Sequence, residues 1–262
     1  MDTRTLITGA SSGIGLEFAK IFAREKHDLV LVAIEDDLLK EAEKEIKSEY
    51  GVKVLSIVKD LTDDGAVQDI FDEVVSNGIE IDILVNNAGF GDYCFFSECN
   101  WEKQEKMIRL NVTALAHLTR LFLPAMISRK KGNILNLASN SAFQPGPGMS
   151  IYFASKSFVL SFSEAIANEL NGTGVKVTAL CPGSTKTRFN SIAAGNNERQ
   201  YGKSNRPGPR EVAEFGYKQM LKGKTIAIHG LKNALIIFAI RFLPRSFVTN
   251  QARKIQAAKF KK

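Results

Sequence analysis

A tyrosine and a lysine stand four residues apart at Tyr152 and Lys156, within a stretch of helical character. Residues i and i+4 lie on one face of a helix, so the ammonium group can approach the phenol. A nearby cation favours the phenolate and lowers the pKa of a tyrosine from its usual value of about 10. The pair therefore predicts a tyrosine that exchanges a proton with a substrate hydroxyl or carbonyl group near neutral pH. Ser139 precedes Tyr152 by thirteen residues and offers a hydroxyl to the same substrate oxygen.

A glycine-rich segment, TGASSGIG, follows the first predicted strand. Glycines at such a junction permit a tight turn and a close approach of phosphate to the backbone, and the following helix N-terminus offers N–H groups to a pyrophosphate. The segment lacks the Gly-Lys-[Ser/Thr] of a P-loop, which disfavours an NTPase. A glycine-rich turn without a ligand is the alternative. The predicted cofactor contacts here are Gly9, Ser11, Ser12, Gly13, Ile14 and Gly15.

Strand and helix signals alternate along the chain, and continuous apolar runs such as Leu29–Ala33 are typical of strands buried on both faces. The predicted strands are 5–8, 29–33, 52–58, 82–85, 133–137, 175–180 and 225–228. The predicted helices are 14–25, 37–50, 66–76, 101–129, 152–170 and 210–221. This order predicts an α/β fold of the Rossmann type: a doubly wound parallel sheet of about seven strands with helices on both faces.

Several motifs now fall into one order, and that order resembles the short-chain dehydrogenase/reductase (SDR) family over about residues 3–190. Each motif alone is common, whereas the whole set in register is specific. After the glycine-rich turn, the matching segments are Asp60-Leu61, Asn86-Asn87-Ala88-Gly89, Asn111, Ser139, Tyr152 with Lys156, and Pro182-Gly183 with Thr187.

The resemblance implies an NAD(P)-dependent oxidoreductase that interconverts an alcohol and a carbonyl group of a small or lipophilic substrate. Tyr152 would then be the acid/base, with Lys156 tuning it and also contacting the cofactor. Ser139 would position the substrate, and Asn111 would hold a water that relays protons. The further cofactor contacts that the resemblance implies are Asp60, Leu61, Asn87, Ala88, Gly89, Pro182, Gly183 and Thr187.

The resemblance also implies one dinucleotide-binding oxidoreductase domain over 1–262 that forms a homodimer or homotetramer. The stretch 190–209, rich in Gly, Asn, Arg and Pro, is interpreted as a mobile substrate loop. Aromatic and other apolar residues near the predicted site favour a lipophilic carbonyl substrate, and some of them are alternatively loop-packing residues. They are Phe90, Tyr93, Phe95, Phe96, Phe143, Met149 and Phe189.

The ribose partner of the cofactor is the point at which this sequence departs from the family pattern. NADP-preferring members usually carry Arg just past the position of Ala33, and NAD-preferring members often carry Asp at about that position. Here the chain reads Ile34-Glu35-Asp36-Asp37, with no Arg to meet a 2′-phosphate and three carboxylates to repel one. Glu35 can accept a hydrogen bond from a ribose hydroxyl, which favours NAD slightly. Alternatively, these acids only begin the next helix, where the macrodipole favours them.

Cysteine and histidine are sparse in this chain. Cys94, Cys99 and Cys181 form no CxxC pair, and there are only three histidines. This argues against a disulfide framework or a structural zinc site, and we predict no metal. The first residues leave no room for the apolar region of a signal peptide. The expectation is a cytoplasmic protein with free thiols.

Basic residues concentrate at the C-terminal end of the chain. Residues 199–262 hold 15 basic and 2 acidic side chains, whereas residues 1–198 hold 20 and 26. Within the extension 231–262, an apolar run precedes a helical stretch in which Val248, Ala252, Ile255 and Ala258 share one face. This extension either packs over the substrate cleft or a partner subunit, or it anchors the protein peripherally on an anionic membrane.

Two further classes of protein compete with an enzyme. A cofactor-sensing protein with little turnover would bind the dinucleotide, but the intact set of Asn111, Ser139, Tyr152 and Lys156 argues against it. The other class is a membrane-surface or nucleic-acid-binding protein, which would use the basic end. Because that end lacks a recognition motif for nucleic acid, no nucleic-acid partner is expected.

Overall fold

The computed structural model describes residues 3–189, 193 and 206–257. Its strands are β1 (Arg4–Thr8), β2 (Asp28–Ala33), β3 (Val54–Val58), β4 (Ile83–Asn86), β5 (Gly132–Leu137), β6 (Val175–Cys181) and β7 (Ile226–Ile228). Its helices are α1 (Gly13–Arg24), α2 (Asp36–Tyr50), α3 (Ala66–Ser76), α4 (Trp101–Ile108), α5 (Leu115–Ser128), α6 (Ser150–Glu169), α7 (Pro209–Leu221), α8 (Leu231–Ile240) and α9 (Arg245–Ala257). The predicted elements are therefore present, with ends that differ by at most two residues, except that the helix predicted over 101–129 is divided into two.

The strands described here form one parallel sheet in the order β3-β2-β1-β4-β5-β6-β7. The order changes direction between β1 and β4, where a doubly wound sheet opens a ligand crevice outside its carboxyl ends. The predicted Rossmann-type architecture is confirmed. The predicted substrate loop at 190–209 lies mostly outside the described residues.

Apolar side chains cover both faces of the sheet. On one face, α1, α2 and α7 pack against the strands, with Phe18 and Val212 among the buried residues. On the other face, α3, α5 and α6 contribute Ile70, Leu118 and Ile166. Because both faces are covered, the strands carry the continuous apolar runs that predicted a buried parallel sheet.

The helix predicted over 101–129 is interrupted in its middle. Between α4 and α5 the chain makes a wider, π-helical turn at Arg109–Ala114, which contains the buried Asn111. Such turns inside α-helices are frequent at functional sites. The continuous stretch Trp101–Ser128 is long and apolar enough to cross a membrane, a property that core helices share, and Leu118 and Phe122 are buried in the core.

The expectation of free thiols is wrong for two of the three cysteines. Cys94 and Cys99 form a disulfide with a Cα–Cα distance of 5.4 Å. A 3-10 turn at Phe96–Glu98 folds the intervening chain back on itself, which a spacing of five residues does not reveal. Cys181 is a buried free thiol. The disulfide closes the loop that leads from β4 to α4.

The buried face of α9 also differs from the predicted one. Val248, Ala252 and Gln256 are buried, whereas Ile255 is 63% exposed. The Gln256 amide lies 3.8 Å from the sulfur of Met149, so a polar residue takes the inward position after Ala252. Ala258 lies outside the described residues.

Four buried polar side chains link the centre of the sheet to two helices. The Asn86 amide donates to Thr119 Oγ1 at 3.1 Å and to Asn136 Oδ1 at 2.9 Å. The Asn136 amide in turn donates to Ser163 Oγ at 2.9 Å. Buried polar groups are costly unless they are paired, so this chain of bonds fixes β4 and β5 relative to α5 and α6.

Replacing Asn136 by Ala should lower the free energy of unfolding by about 2 kcal/mol, because the buried side chains of Asn86 and Ser163 each lose one hydrogen bond. Asn133→Ala, a half-buried position on the same strand, is the matched control and should change stability by less than about 0.5 kcal/mol. Urea unfolding of both variants measures the difference. Equal losses would show that the polar chain contributes nothing specific.

Candidate active site

A cavity of about 670 Å³ opens at the carboxyl ends of the central strands. It brings together nearly all the predicted site residues, which come from segments far apart in sequence. Gly15 and Asn111 do not line it but contact residues that do. The predicted residues in the wall are Gly9, Ser11, Ser12, Gly13, Ile14, Glu35, Asp60, Leu61, Asn87, Ala88, Gly89, Ser139, Tyr152, Lys156, Pro182, Gly183 and Thr187.

The glycine-rich turn has the backbone geometry that its sequence predicts. Gly9 and Gly13 have φ values of +65° and +59°, a region that side chains with a Cβ rarely adopt. A Cβ on Gly15 would lie 2.1 Å from the carbonyl oxygen of Gly9, so only glycine permits this contact between helix and turn. The first turn of α1 contains no acidic residue. The turn and the helix N-terminus therefore fit the pyrophosphate of a dinucleotide.

The segment after β4 is fixed against this turn. Thr8 Oγ1 accepts hydrogen bonds from the backbone N–H groups of Asn87 and Ala88, each at 3.0 Å. The Asn87 amide donates to the carbonyl oxygens of Thr8 and Gly9 at 2.9 and 3.1 Å. These bonds hold the floor of the cavity beneath the predicted cofactor site.

Asp60 and Leu61 follow β3 at the far end of the cavity. The Asp60 carboxylate accepts hydrogen bonds from the backbone N–H and the hydroxyl of Thr62, both at 2.8 Å. Leu61 is buried beside it. The carboxylate is thus fixed in the wall, where the resemblance expects the adenine.

Tyr152 and Ser139 meet at the deep end of the cavity. Tyr152 is buried near the start of α6, and its hydroxyl is hydrogen-bonded to the Ser139 side chain. Ser139 lies two residues after the end of β5, and its Oγ also accepts a hydrogen bond from the backbone N–H of Ser141 at 3.1 Å. The two hydroxyls are positioned to contact one substrate oxygen.

Lys156 is held beneath Tyr152 by a backbone carbonyl. Its Nζ donates to the oxygen of Leu137 at 2.7 Å and lies 5.9 Å from the centre of the Tyr152 ring. A Cβ on Gly89 would stand 3.4 Å from Lys156 Nζ and 2.8 Å from Asn111 Oδ1. Glycine at this position therefore lets the backbone pass between the two side chains.

The Asn111 side chain forms hydrogen bonds with neighbouring groups through both its amide nitrogen and its oxygen. Its amide donates to the carbonyl oxygen of Phe90 at 2.9 Å and to Ser155 Oγ at 3.1 Å, and its Oδ1 accepts the Phe90 N–H at 3.2 Å. In the structure it positions the backbone beside Lys156. Its role in holding a relay water stays a prediction.

Burial shifts the pKa of Tyr152 upwards, in the direction opposite to the one that the sequence predicts. Burial raises the pKa of Tyr152 to about 12, and the hydrogen bond with Ser139 opposes that rise only in part. Burial also lowers the pKa of Lys156 to about 8. The Lys156 charge is not among the groups that shift the pKa of Tyr152, so it does not produce a phenolate here. Tyr152 is accordingly a neutral phenol near neutral pH and is suited to donate a proton.

The end of the cavity at Glu35, where the ribose of the cofactor is predicted to bind, differs from what the sequence predicts. Glu35 lines the wall and accepts a hydrogen bond from Ser11 Oγ at 2.8 Å. Asp36 and Asp37 lie in the first turn of α2 and do not line the cavity, as the alternative interpretation holds. Arg188, 153 residues away in sequence, approaches the Glu35 carboxylate at 3.5 Å. An arginine thus reaches this end from a segment that the local sequence gave no reason to consider.

The remaining wall is largely apolar. Of the residues expected to favour a lipophilic substrate, Phe90, Tyr93, Met149 and Phe189 line the cavity. Phe95, Phe96 and Phe143 do not line it, because the first two are exposed on the disulfide loop and Phe143 packs in the core. The wall also contains residues that the sequence did not single out as site residues, and only Ile236, Ile237 and Ile240 among them belong to the apolar run of the C-terminal extension. They include Asn140, Asn233, Ile236, Ile237, Ile240 and Ile255.

A doubly wound sheet with a glycine-rich turn, a tyrosine–lysine pair and a serine in one cavity defines a class of dinucleotide-binding oxidoreductases. A family model described as short chain dehydrogenase matches residues 3–197. The chain belongs to the short-chain dehydrogenase/reductase family. It is therefore an NAD(P)-dependent oxidoreductase that acts on alcohol and carbonyl groups, and the resemblance noted in the sequence is confirmed.

Relatives and solved structures extend this finding. The very-long-chain 3-oxoacyl-CoA reductase of Homo sapiens is 30% identical over 98% of this chain and 82% of its own length. The same enzyme of Anas platyrhynchos is 34% identical over 72% of this chain, and the match spans 61% of that protein. A short-chain dehydrogenase from Sphingobium yanoikuyae in complex with NADPH is 33% identical, with a TM-score of 0.83 and coverage of 91% and 92% of the two chains.

The lowered pKa of Lys156 predicts an alkaline limit for carbonyl reduction. Its ammonium charge beside Tyr152 is present below about pH 8 and is lost as the pH rises through that value. The kcat/KM for reduction should therefore fall above about pH 8, whereas loss of the Tyr152 proton would matter only near pH 12. Lys156→Arg, which keeps its charge, should lose this limit in whatever activity remains. A wild-type profile that stays flat to pH 10 contradicts the assignment.

Proposed function

We propose that this chain interconverts a lipophilic carbonyl compound and its alcohol, with Tyr152 as the proton donor and acceptor. One observation carries the proposal: Tyr152, Ser139 and Lys156 share a single cavity with the glycine-rich turn. The relatives in Homo sapiens and Anas platyrhynchos are named as reductases of very-long-chain 3-oxoacyl-CoA, a carbonyl compound with a long apolar chain. The named activity of those longer proteins supports the substrate class proposed here.

The residues divide the chemical work among them. When bound, the nicotinamide supplies or accepts the hydride. In reduction, the Tyr152 phenol gives its proton to the carbonyl oxygen, while Ser139 holds that oxygen by a hydrogen bond. The Lys156 ammonium stabilises the negative charge that develops on the Tyr152 oxygen. Asn111 keeps the backbone at Phe90 in place beside this group. We propose these roles together with the cofactor contacts predicted above.

The apolar wall supports a lipophilic substrate. The Phe189 ring lies 5.3 Å from the Tyr152 ring, and Met149 is buried next to both in one cluster. Ile237 of α8 and Ile255 of α9 also belong to the apolar lining. A hydrophobic pocket with a few convergent polar groups is typical of sites for apolar ligands.

The cofactor preference rests on the balance of charge near Glu35. We propose that NAD(H) binds at least as well as NADP(H), because the Glu35 carboxylate can accept a ribose hydroxyl and repels a 2′-phosphate. Arg188 partly offsets this repulsion through its contact with Glu35. The acids at Asp36 and Asp37 do not contribute to the wall.

We further propose a homodimer or homotetramer, and peripheral membrane contact through 231–262. Phe158 on α6 is exposed while its ring stacks on Phe162, which supports an apolar contact between subunits at this helix. A single domain over 1–262 and a cytoplasmic location with membrane association stay predictions.

Tyr152→Phe should reduce turnover by at least ~10²-fold, the usual scale for a positioned acid/base, and should leave cofactor affinity nearly unchanged. Tyr50→Phe, at the end of α2 and outside the cavity, is the control and should keep full turnover. Reduced-cofactor absorbance with a panel of ketones and alcohols measures the effect. Wild-type turnover in the Tyr152 variant would exclude the proposed role.

Glu35→Gln should strengthen NADPH binding relative to NADH by about threefold to tenfold, because it removes a half-exposed charge and keeps the hydrogen-bonding side chain. Ile34→Arg should move the preference further towards NADPH. Asp37→Asn is the control, since Asp37 lies in the helix and not in the wall. Fluorescence titration of both cofactors decides the matter. Much tighter NADPH than NADH binding by the wild type would refute the proposed preference.

A further inference from the structure

Helix α8 is apolar on two opposite faces. Its inward residues Ile237 and Ile240 line the catalytic cavity. The outward residues of α8, continued by Phe242 in the turn after it, follow a spacing of four, three and four. Their side chains are open to solvent: Leu231 is 86% exposed, Leu235 69%, Phe238 60% and Phe242 74%. A helix that is apolar all round is normally buried. The outward face of α8 therefore lacks a covering layer in the part of the chain described here.

The same segment carries charge of one sign. Residues 231–257 contain Lys232, Arg241, Arg245, Arg253 and Lys254 and no acidic residue. All five are exposed, and Lys232 and Arg241 lie next in sequence to Leu231 and Phe242. Exposed apolar side chains flanked by cations are complementary to an anionic lipid surface, where the apolar groups enter the interface and the cations meet the headgroups.

The positive charge of this segment also favours a membrane over a second copy of the chain as the partner of the outward face. A second copy would bring the same five cations against themselves in a two-fold contact, which like-charge repulsion opposes. The length of α8 limits the mode of contact, because ten residues span about 15 Å, half of the hydrocarbon core of a bilayer. The helix is thus suited to lie in the interface and not to cross it.

We propose that the outward face of α8 docks on an anionic membrane, and that the apolar substrate passes from the lipid to Tyr152 along the wall that α8 and α9 share. The inference rests on the proposed function for its substrate. Ile237 and Ile240 of α8 and Ile255 of α9 line the cavity, and Leu235 and Phe238 lie on the lipid-facing side of α8. One helix therefore separates the lipid surface from the substrate site.

Vesicle binding of the full chain tests the docking. Wild-type protein should co-sediment with phosphatidylcholine vesicles that contain phosphatidylglycerol at low salt, and much less with high salt or with phosphatidylcholine alone. The double variant Phe238→Ser/Phe242→Ser should lower vesicle affinity at least about tenfold. Arg241→Gln and Arg245→Gln should each lower it about fivefold. Val75→Ser, an exposed apolar residue on α3, is the matched control and should bind as the wild type does.

Measurements of cofactor binding and turnover distinguish a loss of membrane docking from a loss of the active site. Phe238 and Phe242 do not line the cavity, so the double variant should bind reduced cofactor normally while turnover of a long-chain methyl ketone in anionic vesicles falls with vesicle affinity. No sedimentation of the wild type at low salt, or equal sedimentation of the double variant, overturns the docking. A dimer that the double variant loses, without vesicle binding, assigns this face to a second copy instead. Absence of redox activity with vesicle binding intact would contradict the proposed function alone.

Discussion

Parallel pairing of the central strands is the constraint on which the site depends. β1, β4, β5 and β6 run side by side in one register, so that Asn86 pairs with Asn136 and Leu137 with Leu180. Each strand therefore ends at the same edge of the sheet. The segments that follow carry the glycine-rich turn, Gly89, Ser139 and Pro182 into one crevice. The polar chain from Asn86 to Ser163 protects this register, because a shift of one strand would leave its buried amides unpaired.

The cost of burying charge shapes the chemistry within that crevice. Lys156 keeps one strong partner, the carbonyl oxygen of Leu137, and burial lowers its pKa to about 8. The same burial raises the pKa of Tyr152 to about 12. The pair is thus set for proton donation to an oxygen that gains negative charge, which is the direction of carbonyl reduction. A phenolate would need a further positive charge beside the hydroxyl.

Local patterns predicted the parts of this molecule that depend on near neighbours. Buried strands, the positive-φ glycines of the turn and the facing of Tyr152 and Lys156 all follow from short-range geometry. The direction in which the pKa of Tyr152 is shifted does not follow from short-range geometry, because desolvation comes from the whole surrounding fold and not from a spacing of four residues. The approach of Arg188 to Glu35 and the pairing of Cys94 with Cys99 likewise depend on how loops fold back, which carries no periodic signal.

The C-terminal extension joins substrate access to the surface of the protein. Sequence alone left 231–262 either as a cover over the cleft or a partner subunit, or as a membrane anchor. The cover over the cleft and the anchor exclude each other only if a single face of the helix is apolar. In α8 both faces are apolar, with Ile237 turned to the cavity and Leu235 to solvent. The two roles are then compatible within one helix. With a wall only one helix thick, the proposed path of an apolar molecule from lipid to Tyr152 is short. Such a path avoids transfer of that molecule into water, which the hydrophobic effect opposes.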